Sequence, residues 1–530
     1  MELARGPGVG PPTLGSAPLV VFIHKLIEML NRTISFVLLV ATAAAEVPAV
    51  TAARQWRETH ERAIVQEFMT LLAIPNIATD QPNIRKNAAL IQSMIEKRGM
   101  KSQLLEYPGA SPVVFAELKN PDAKLTVVFY AHYDGQPLDP KEWVTPPFEP
   151  VLRNGPLDKD SVKVALPATG PINPEWRIFA RSASDDKAPI IAILTALDAM
   201  KAAGIKPAVN LKLVFEGEEE AGSTNLGSIL ERNKELLKSD VWLICDGPVD
   251  QSRKRQIVFG ARGVQTVDLT VYGPKRELHS GHYGNWAPNP AFMLTRLLAS
   301  MKDDDGRVLI DGYYDGMLPL SDLDKKALAE LPDNDPALKQ ELWLGRTEGN
   351  GKSLSELLTL PSLNIRGMGA ARIGNGASNV IPASATATID MRLVRGVTKD
   401  HVVDVLKKHI GKQGYFITDS EPGGAVRMAH PKVAYIKVHA GGYDAVRTPL
   451  DLPVAQKVVK AVEDAFGPVV KRPNTGGSVP LFMITEILGA PTIQTPIANH
   501  DNSQHTFNEN IRIRNLWDGI EEMAALLMMR

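Results

Sequence analysis

The chain contains a single cysteine, Cys245, among its 530 residues. One cysteine cannot form a disulfide within the chain, and it cannot supply the several thiolates of a cysteine-based zinc site. A disulfide framework and a zinc knuckle are therefore both excluded. Any metal site in this protein has to be built from histidine, aspartate and glutamate side chains.

The chain also lacks a net charge of either sign. Lys and Arg number 59 against 60 Asp and Glu, which gives a formal charge of -1 at pH 7. Such a balance provides no broad basic surface for nucleic acid or anionic lipid, so we expect neither as a partner. The length and the hydrophobic content of 44% are instead typical of a globular protein with more than one domain.

A long membrane-spanning run is missing as well. The apolar segment TISFVLLVATAAA, which follows Arg32, is too short to span a bilayer comfortably. It has the form of a secretory h-region and cleavage zone. We predict that residues 1–53 are a leader with a signal peptide, cleaved after Ala45 or near Ala52, and that the mature protein is periplasmic or secreted. The alternatives are a retained membrane anchor or a disordered leader, and a leader that does not function would leave the protein in the cytoplasm.

Helical and strand-like segments alternate after the leader. Residues 54–75 and 87–99 predict two amphipathic helices, the second ended by Gly99. Apolar runs predict four strands, at Val113 to Ala116, Leu125 to Tyr130, Leu211 to Phe215 and Val241 to Cys245, with a helix from Pro189 to Ala203 before the third. This order predicts an α/β fold with a mixed, largely parallel sheet flanked by helices. In such folds the ligand sites lie at the carboxyl ends of the strands.

Side chains that can bind metal directly follow the second of these strands. His132 and Asp134 come after the run that ends at Tyr130, and the alternation of an extended backbone points both the same way. One can bind a metal while the other accepts the far imidazole N–H and fixes the tautomer. Taken alone, the spacing is also typical of a structural histidine near a turn.

Acidic residues occupy three further positions of this kind. Asp185 and Asp186 stand in a polar turn before a helix, where acids also serve as caps and dipole partners. The stretch EGEEEAGS follows Phe215 and holds four acids in five residues, a pattern that is usually a solvated face. Asp246 follows the next apolar run, although the sequence Asp-Gly-Pro is also a turn signal.

The combination indicates more than any one of these motifs. Acids or imidazoles follow three strand-like runs and precede a helix, and HTFNEN supplies a further histidine, His505. Oxygen ligands with two histidines and no sulfur suit zinc, manganese or cobalt. A shared carboxylate is what two metals about 3.5–4 Å apart require. We therefore predict two divalent metal ions, with Zn²⁺ as the first candidate and Mn²⁺ or Co²⁺ as alternatives.

Five motifs, in order, resemble those of a known family: AHYDGQP, SASDDKAP, EGEEEAGS, CDGP and HTFNEN. They are similar to the metal motifs of the carnosinase, aminoacylase and carboxypeptidase G family of co-catalytic zinc peptidases. The resemblance extends over nearly all of residues 54–530. It points to the dipeptidase-like branch of this family.

The resemblance implies a role for each site residue. The implied metal ligands are His132, Asp185, Glu220, Asp246 and His505, and Asp185 would bridge the two metals. Asp134 would orient His132, and Glu219 would be the general base. The family also implies a cis peptide bond between Asp185 and Asp186.

Substrate contacts are implied in the same way. LHSG at His279 is similar to a motif whose histidine reaches a neighbouring active site across a dimer, and its alternative is a turn histidine. Arg392, in TATIDMRLV, matches the arginine that grips the substrate carboxylate, with a surface ion pair as its alternative. The turn of Gly476, Gly477 and Ser478 would cradle the same carboxylate, unless it is an ordinary loop.

The positions of the motifs predict a catalytic domain in two parts, residues 54–260 and 474–530. The intervening residues 261–473 resemble the family's lid domain, an inserted α+β unit that dimerises and closes over the substrate. A homodimer is therefore expected. The charged segment 324–358 departs from the family's pattern, and the sequence gives it no role.

The implied activity is that of a metal-dependent exopeptidase that cleaves dipeptides or short peptides. A hydroxide between the metals would attack the peptide carbonyl, while Glu219 would take the proton and pass it to the leaving nitrogen. Family members with aspartate at the position of Asp246 tend to be dipeptidases or aminopeptidases, and those with glutamate carboxypeptidases or deacylases. The alternatives are an N-acyl amino acid deacylase on the same scaffold and a non-catalytic peptide-binding protein.

Overall fold

The computed structural model describes residues 47–477 and 481–530. The predicted leader up to residue 46 lies outside the described residues, and so does Ser478. Export of the protein therefore stays a prediction. Among the described residues, no helix combines the length and the apolar character needed to cross a membrane.

The strands are β1 (Lys101–Leu105), β2 (Val113–Leu118), β3 (Thr126–His132), β4 (Val151–Arg153), β5 (Arg177–Phe179), β6 (Asn210–Glu216), β7 (Val241–Ile244), β8 (Gln256–Val258), β9 (Gly260–Ala261), β10 (Gly263–Tyr272), β11 (Leu278–His279), β12 (Ser362–Gly369), β13 (Val380–Ile381), β14 (Ser384–Leu393), β15 (Phe416–Thr418), β16 (Val433–Val438), β17 (Val446–Arg447), β18 (Val470–Arg472), β19 (Thr492–Gln494) and β20 (Asn510–Arg512).

The α-helices are α1 (Pro48–Leu72), α2 (Gln81–Lys97), α3 (Lys187–Ala202), α4 (Leu226–Arg232), α5 (Lys234–Leu237), α6 (Ser280–Tyr283), α7 (Pro290–Ala299), α8 (Asp322–Ala329), α9 (Asp335–Glu341), α10 (Leu354–Leu357), α11 (Lys399–Lys412), α12 (Gly424–Ala429), α13 (Pro453–Phe466), α14 (Leu481–Leu488) and α15 (Ile513–Leu526).

The larger sheet has eight strands in the order β1-β2-β6-β3-β7-β19-β8-β18. Four neighbouring pairs are parallel, namely β6 with β3, β3 with β7, β7 with β19 and β18 with β8. The remaining pairs are antiparallel. This mixed, largely parallel sheet with helices on its faces confirms the predicted fold class.

Strand β3 is an unbroken apolar run because both of its faces are covered. Val127, Phe129 and Ala131 point into the core that includes α1, α3 and α15. Val128 and Tyr130 point into the core on the other face, which includes α4 and α14. A parallel strand that is buried on both sides needs apolar residues at every position, whereas a half-buried strand would alternate. The chain can place polar residues only where the strand ends.

The first helix is longer than its sequence pattern predicts. Helix α1 begins at Pro48, a residue that is favoured in the first helical turn, and ends near Pro75 as expected. Ala49, Val50 and Ala53 are buried, so these residues of the segment assigned to the leader belong to the core. A cut near Ala52 would divide this helix.

The second sheet is formed within residues 261–473. Its order is β12-β14-β10-β16-β15, and all of its pairs are antiparallel except β15 with β16. Strand β10 alternates buried and half-buried residues along its whole length, as a strand with one covered face should. Helices α7 and α11 cover that face and share a separate core with the sheet.

The segment that has no role at the sequence level forms α8, α9 and α10. These helices lie against the edge of the larger sheet, where Arg472 of β18 donates a hydrogen bond to Ser355 Oγ at 3.0 Å. A Cβ atom on Gly476 would lie 3.1 Å from Leu358 Cδ2, so the segment also reaches the Gly-Gly turn. Its helices therefore contact the larger sheet, although the segment lies in the sequence range of the second one.

We expect the two tryptophans Trp242 and Trp343 to differ sharply in their contribution to stability. Trp242 in β7 is fully buried, and truncation to alanine should lower the free energy of unfolding by about 3–5 kcal/mol. Trp343 is 94% exposed, and the same change should have an effect within about 0.5 kcal/mol. Urea unfolding followed by circular dichroism measures both. Equal losses in the two variants would contradict the assignment of the core.

Candidate metal centre

The predicted metal ligands lie at the carboxyl edge of three adjacent strands. His132 is the last residue of β3, the turn Glu219–Ala221 follows β6, and Asp246 follows β7. Because β6, β3 and β7 run parallel side by side, their carboxyl ends bring these side chains to one place. Asp185, from the turn before α3, and His505, from the loop before β20, complete the cluster.

Asp185 lies between the two histidines. Its Oδ1 is 2.9 Å from His132 Nε2, and its Oδ2 is 3.2 Å from His505 Nε2. His505 Nε2 is also 3.5 Å from Glu220 Oε2, and His132 Nε2 is 4.0 Å from Asp246 Oδ2. One carboxylate thus presents an oxygen to each histidine, and its role as a bridging ligand stays a prediction.

Asp134 holds both His132 and the glutamate pair. His132 Nδ1, the ring nitrogen that faces away from Asp185, lies 3.2 Å from the backbone carbonyl oxygen of Asp134 and 3.5 Å from its Oδ1. The two carboxylate oxygens of Asp134 accept the backbone N–H groups of Glu219 and Glu220, each at 3.0 Å. Asp134 therefore contacts the ring of one histidine mainly through its carbonyl oxygen, and it fixes the position of two acids through its fully buried side chain.

The four acids at the end of β6 and directly after it have two kinds of role. Glu216 is buried and accepts a hydrogen bond from Tyr130 Oη at 2.6 Å. Glu218 accepts the backbone N–H groups of Ser111 at 3.0 Å and Asn225 at 2.7 Å, so it fastens neighbouring loops. The other two, Glu219 and Glu220, line the cavity of the site.

Burial and crowding shift the protonation of the cluster. Burial, together with the charge of Asp185, raises the pKa of Glu220 to about 8 and the pKa of Asp246 to about 7. The hydrogen bond to Asp185 raises the pKa of His505 to about 9. Burial opposes the charged forms of His132 and Asp185, but their mutual hydrogen bond raises the pKa of the histidine and lowers the pKa of the aspartate. Like charges this close favour a bound cation.

The donors present fit divalent metal ions. Ligand atoms of His132, Asp185 and Glu220 lie within 4.8 Å of one another, and so do those of His132, Asp186 and Asp246. Asp186 is fully buried, and its Oδ1 has no hydrogen-bond partner within the described part of the chain. Imidazole and carboxylate without sulfur form a donor set for zinc, manganese or cobalt.

Asp185, Glu220, Asp246 and His505 line a cavity of about 580 Å³. Arg392 and Gly477 line the same cavity, and their predicted contact with a substrate carboxylate stays a prediction. Arg392 lies on β14 of the second sheet, and its Nε donates to Asp390 Oδ2 at 3.0 Å. Gly476 is half-buried next to Gly477 and does not line the cavity, and Ser478 lies outside the described residues. The cavity thus has walls from both sheets.

His279 lies apart from the cluster. It is exposed at the end of β11, its Nδ1 accepts the N–H of Gly281 at 3.0 Å, and its ring centroid is 4.5 Å from that of His282. It does not line the cavity of its own chain. This placement is compatible with action in a neighbouring chain, which stays a prediction.

Sequence reasoning missed three polar residues that contact the cluster. Gln504 Nε2 donates to Asp185 Oδ2 at 3.3 Å, and Gln136 Nε2 donates to Glu220. Glu509 accepts the backbone N–H of Asp185 at 2.9 Å. Gln136 and Glu509 lie inside motifs already singled out, and Gln504 precedes His505, so proximity in sequence was the only available signal. The predicted cis peptide bond between Asp185 and Asp186 is present, which confirms that expectation.

The fold and the cluster together define a hydrolase of the metallopeptidase class. The model of peptidase family M20/M25/M40 matches residues 128–529. The chain belongs to this family and is a metallopeptidase.

Individual relatives agree with this assignment. The chain is 26% identical over 477 residues to the Cys-Gly metallodipeptidase dug1 of Schizosaccharomyces pombe, covering 86% of this chain and 94% of that protein. It is 27% identical over 428 residues to the Beta-Ala-His dipeptidase of Homo sapiens, covering 79% and 77%. The crystal structure of the M20 family metallo-carboxypeptidase Sso-CP2 from Sulfolobus solfataricus superposes with a TM-score of 0.71 at 29% identity, covering 88% of this chain and 98% of that one.

We expect Asp134→Asn to weaken metal binding by about 10- to 100-fold, the usual cost of losing a residue that orients metal ligands. Asparagine has one acceptor oxygen, so it can hold only one of the two glutamate N–H groups. Competition with a chromophoric chelator measures the affinity. The control is Asp240→Asn, at the opposite end of β3, where Asp240 Oδ2 accepts the N–H of Thr126 at 2.7 Å. A loss of affinity in both variants would contradict the role of Asp134.

Proposed function

We propose that the protein is a dipeptidase that hydrolyses dipeptides or short peptides with two divalent metal ions, Zn²⁺ being the first candidate and Mn²⁺ or Co²⁺ the alternatives. The observation that carries the proposal is the position of Asp185 between His132 and His505, in a cavity that Arg392 also lines. The volume of about 580 Å³ is in the range of small-molecule sites. A free dipeptide would bind with one charged end near the acids and the other near the arginine.

Bound divalent ions would supply Lewis acidity and lower the pKa of a water toward neutrality. Glu219 would accept the proton of the attacking water and donate it to the leaving nitrogen. Its Oε2 lies 4.0 Å from His132 Nε2, at the floor of the cavity. Burial raises the pKa of Glu219, although the charge of His132 opposes the rise, and a raised pKa makes the carboxylate a better proton acceptor.

Arg392 would bind the substrate carboxylate. A guanidinium presents two parallel N–H donors to a carboxylate, and Arg392 is only 32% exposed on the cavity wall, where the ion pair would be shielded from water. Gly477 lines the same cavity, where its backbone N–H would be a second donor to the carboxylate. The negative cluster and this positive wall favour a substrate that carries both charges.

The names of the relatives support free dipeptides as substrates. Two of them are called dipeptidases, and Asp246 is the residue type that the resemblance associates with that branch. The structural relative Sso-CP2 is called a metallo-carboxypeptidase, so removal of one residue from the C-terminus of a longer peptide is the second candidate. Both reactions need the carboxylate contact, and they differ in how far the substrate extends beyond the metal ions.

We expect purified protein to hydrolyse free dipeptides faster than blocked dipeptides and N-acetyl amino acids. Activity should disappear with a chelator and return with Zn²⁺, Mn²⁺ or Co²⁺, because the ligand set holds the metal reversibly. Glu219→Gln should lower kcat by about 10²- to 10⁴-fold with little change in KM, since it removes proton transfer and no substrate contact. Turnover only of the acetylated set would favour a deacylase, and full activity of Glu219→Gln would overturn the mechanism.

A homodimer in which His279 completes the neighbouring site is part of this proposal. His279 is exposed in a loop that also exposes aromatic side chains, with Trp286 at 79% exposure beside Tyr283. Such exposed aromatics are typical of an interface. The histidine would donate a hydrogen bond to the oxyanion of the substrate in the second chain.

We expect the inactive variants Glu219→Gln and His279→Ala to complement each other. In a mixed dimer one site would keep Glu219 of its own chain and receive His279 from the other. Random assembly after co-expression should therefore restore about one quarter of wild-type activity. The matched control is His282→Ala in place of His279→Ala, which should be active alone. Failure of the mixture to exceed its two parents would show that His279 does not act across a dimer.

A further inference from the structure

Glu509 is a fully buried carboxylate that accepts hydrogen bonds from the turn before α3. Its Oε1 accepts the N–H groups of Ser184 and Asp185, each at 2.9 Å, and the Ser184 hydroxyl at 2.8 Å. Its Oε2 accepts the N–H of Ser182 at 2.8 Å and Arg181 Nη1 at 2.9 Å. The backbone from Ser182 to Asp185 is thus wrapped around one side chain, and the residue at its end is the bridging aspartate.

Arg181 connects this turn to the loop of the second histidine. While its Nη1 pairs with Glu509, its Nη2 donates to the carbonyl oxygen of Thr506 at 3.1 Å, next to His505. Its guanidinium also lies over the ring of Trp143, 5.1 Å from the centroid. Arg181 is 2% exposed, so the charge cannot turn to solvent. The ion pair therefore joins the segment of Asp185 to the segment of His505.

The two segments leave a common pair of strands. Asn510 of β20 is paired with Phe179 of β5, and Ala180 N–H donates to Glu509 O at 3.1 Å. From this point the segment after β5 runs forward to Asp185, and the segment before β20 leads back to His505. Beyond Ala180 and Glu509 the contacts that join the two segments are made by side chains, so the separation of Asp185 from His505 depends on them.

The Arg181–Glu509 pair is an unfavourable way to stabilise a fold in terms of free energy. Two buried charges have to be desolvated, and well-packed apolar residues of similar size often give equal or higher stability. Apolar residues could not, however, accept three backbone N–H groups and a hydroxyl from one turn. The arrangement is thus suited to fix the direction of a turn, and the turn carries Asp185.

We propose that Glu509, held by Arg181, is a positioning residue that sets the separation of Asp185 from His505 and thereby the affinity for divalent metal ions. The inference rests on the proposed metal-dependent function, and Glu509 acts through Asp185 without touching the substrate. Residues that hold metal ligands in this way typically change metal affinity by about 10- to 100-fold when they are replaced.

The test compares Glu509→Gln with Glu61→Gln. Glu61 is a matched control because it is also buried, pairs with Arg57 at 3.0 Å and accepts the backbone N–H of Ile172, but lies on α1. Zn²⁺ affinity is measured by competition with a chromophoric chelator, and stability by urea unfolding of the metal-free protein. Glu509→Gln should bind Zn²⁺ about 10- to 100-fold more weakly and lower kcat more than it raises KM. Glu61→Gln should lose stability and keep wild-type Zn²⁺ affinity.

The double variant Arg181→Gln with Glu509→Gln separates positioning from stability. It removes the unpaired arginine that Glu509→Gln leaves behind, so stability should recover in part while Zn²⁺ affinity stays low. Wild-type Zn²⁺ affinity in the double variant would overturn the proposal. An equal loss of Zn²⁺ affinity in Glu509→Gln and Glu61→Gln would overturn it as well. If Glu509→Gln does not fold, the affinity of the double variant decides. A wild-type protein that binds Zn²⁺ but cleaves no peptide would refute the proposed function alone, because the affinity measurement would still test Glu509.

Discussion

The structure depends on holding several carboxylates together in a largely buried site at the base of a cavity. Asp134, Asp185, Glu219, Glu220 and Asp246 meet at one edge of the larger sheet, where burial makes the repulsion between them strong. Two histidines offset only part of this charge. The cluster therefore lowers the stability of the metal-free fold, and its arrangement is best explained by the binding of cations. The surrounding backbone holds the carboxylates in place so that they cannot move apart.

The sheet and the loops contribute to this cluster in different ways. Parallel pairing of β6, β3 and β7 delivers His132, Glu219, Glu220 and Asp246 to one edge, since parallel strands end together. The ligands that come from loops are not positioned by this strand pairing and need other contacts to hold them. Asp185 and His505 are 320 residues apart in the chain, and a buried ion pair joins their segments beyond the paired strands β5 and β20.

Much of this could be predicted from the sequence, because β3, β6 and β7 are mainly apolar runs with their functional residues at or directly after their ends. The contacts made by Glu509 and Gln136 could not, since hydrogen bonds between distant segments leave no periodic pattern. The early start of α1 escaped prediction because small residues such as Ala49 and Val50 are also typical of a cleavage zone. The sequence gives no role to the segment of helices α8 to α10, because the face they contact depends on tertiary partners such as Arg472 and Ser355.

One consequence follows from the cavity having walls on two different sheets. Arg392 belongs to the smaller sheet and the acidic cluster to the larger one, so their separation is not fixed by hydrogen bonding within either sheet. A ligand that carries opposite charges at its two ends would draw the sheets together only if its length matched the gap. The cavity would then select ligands by the length of their backbone and would tolerate different side chains in between.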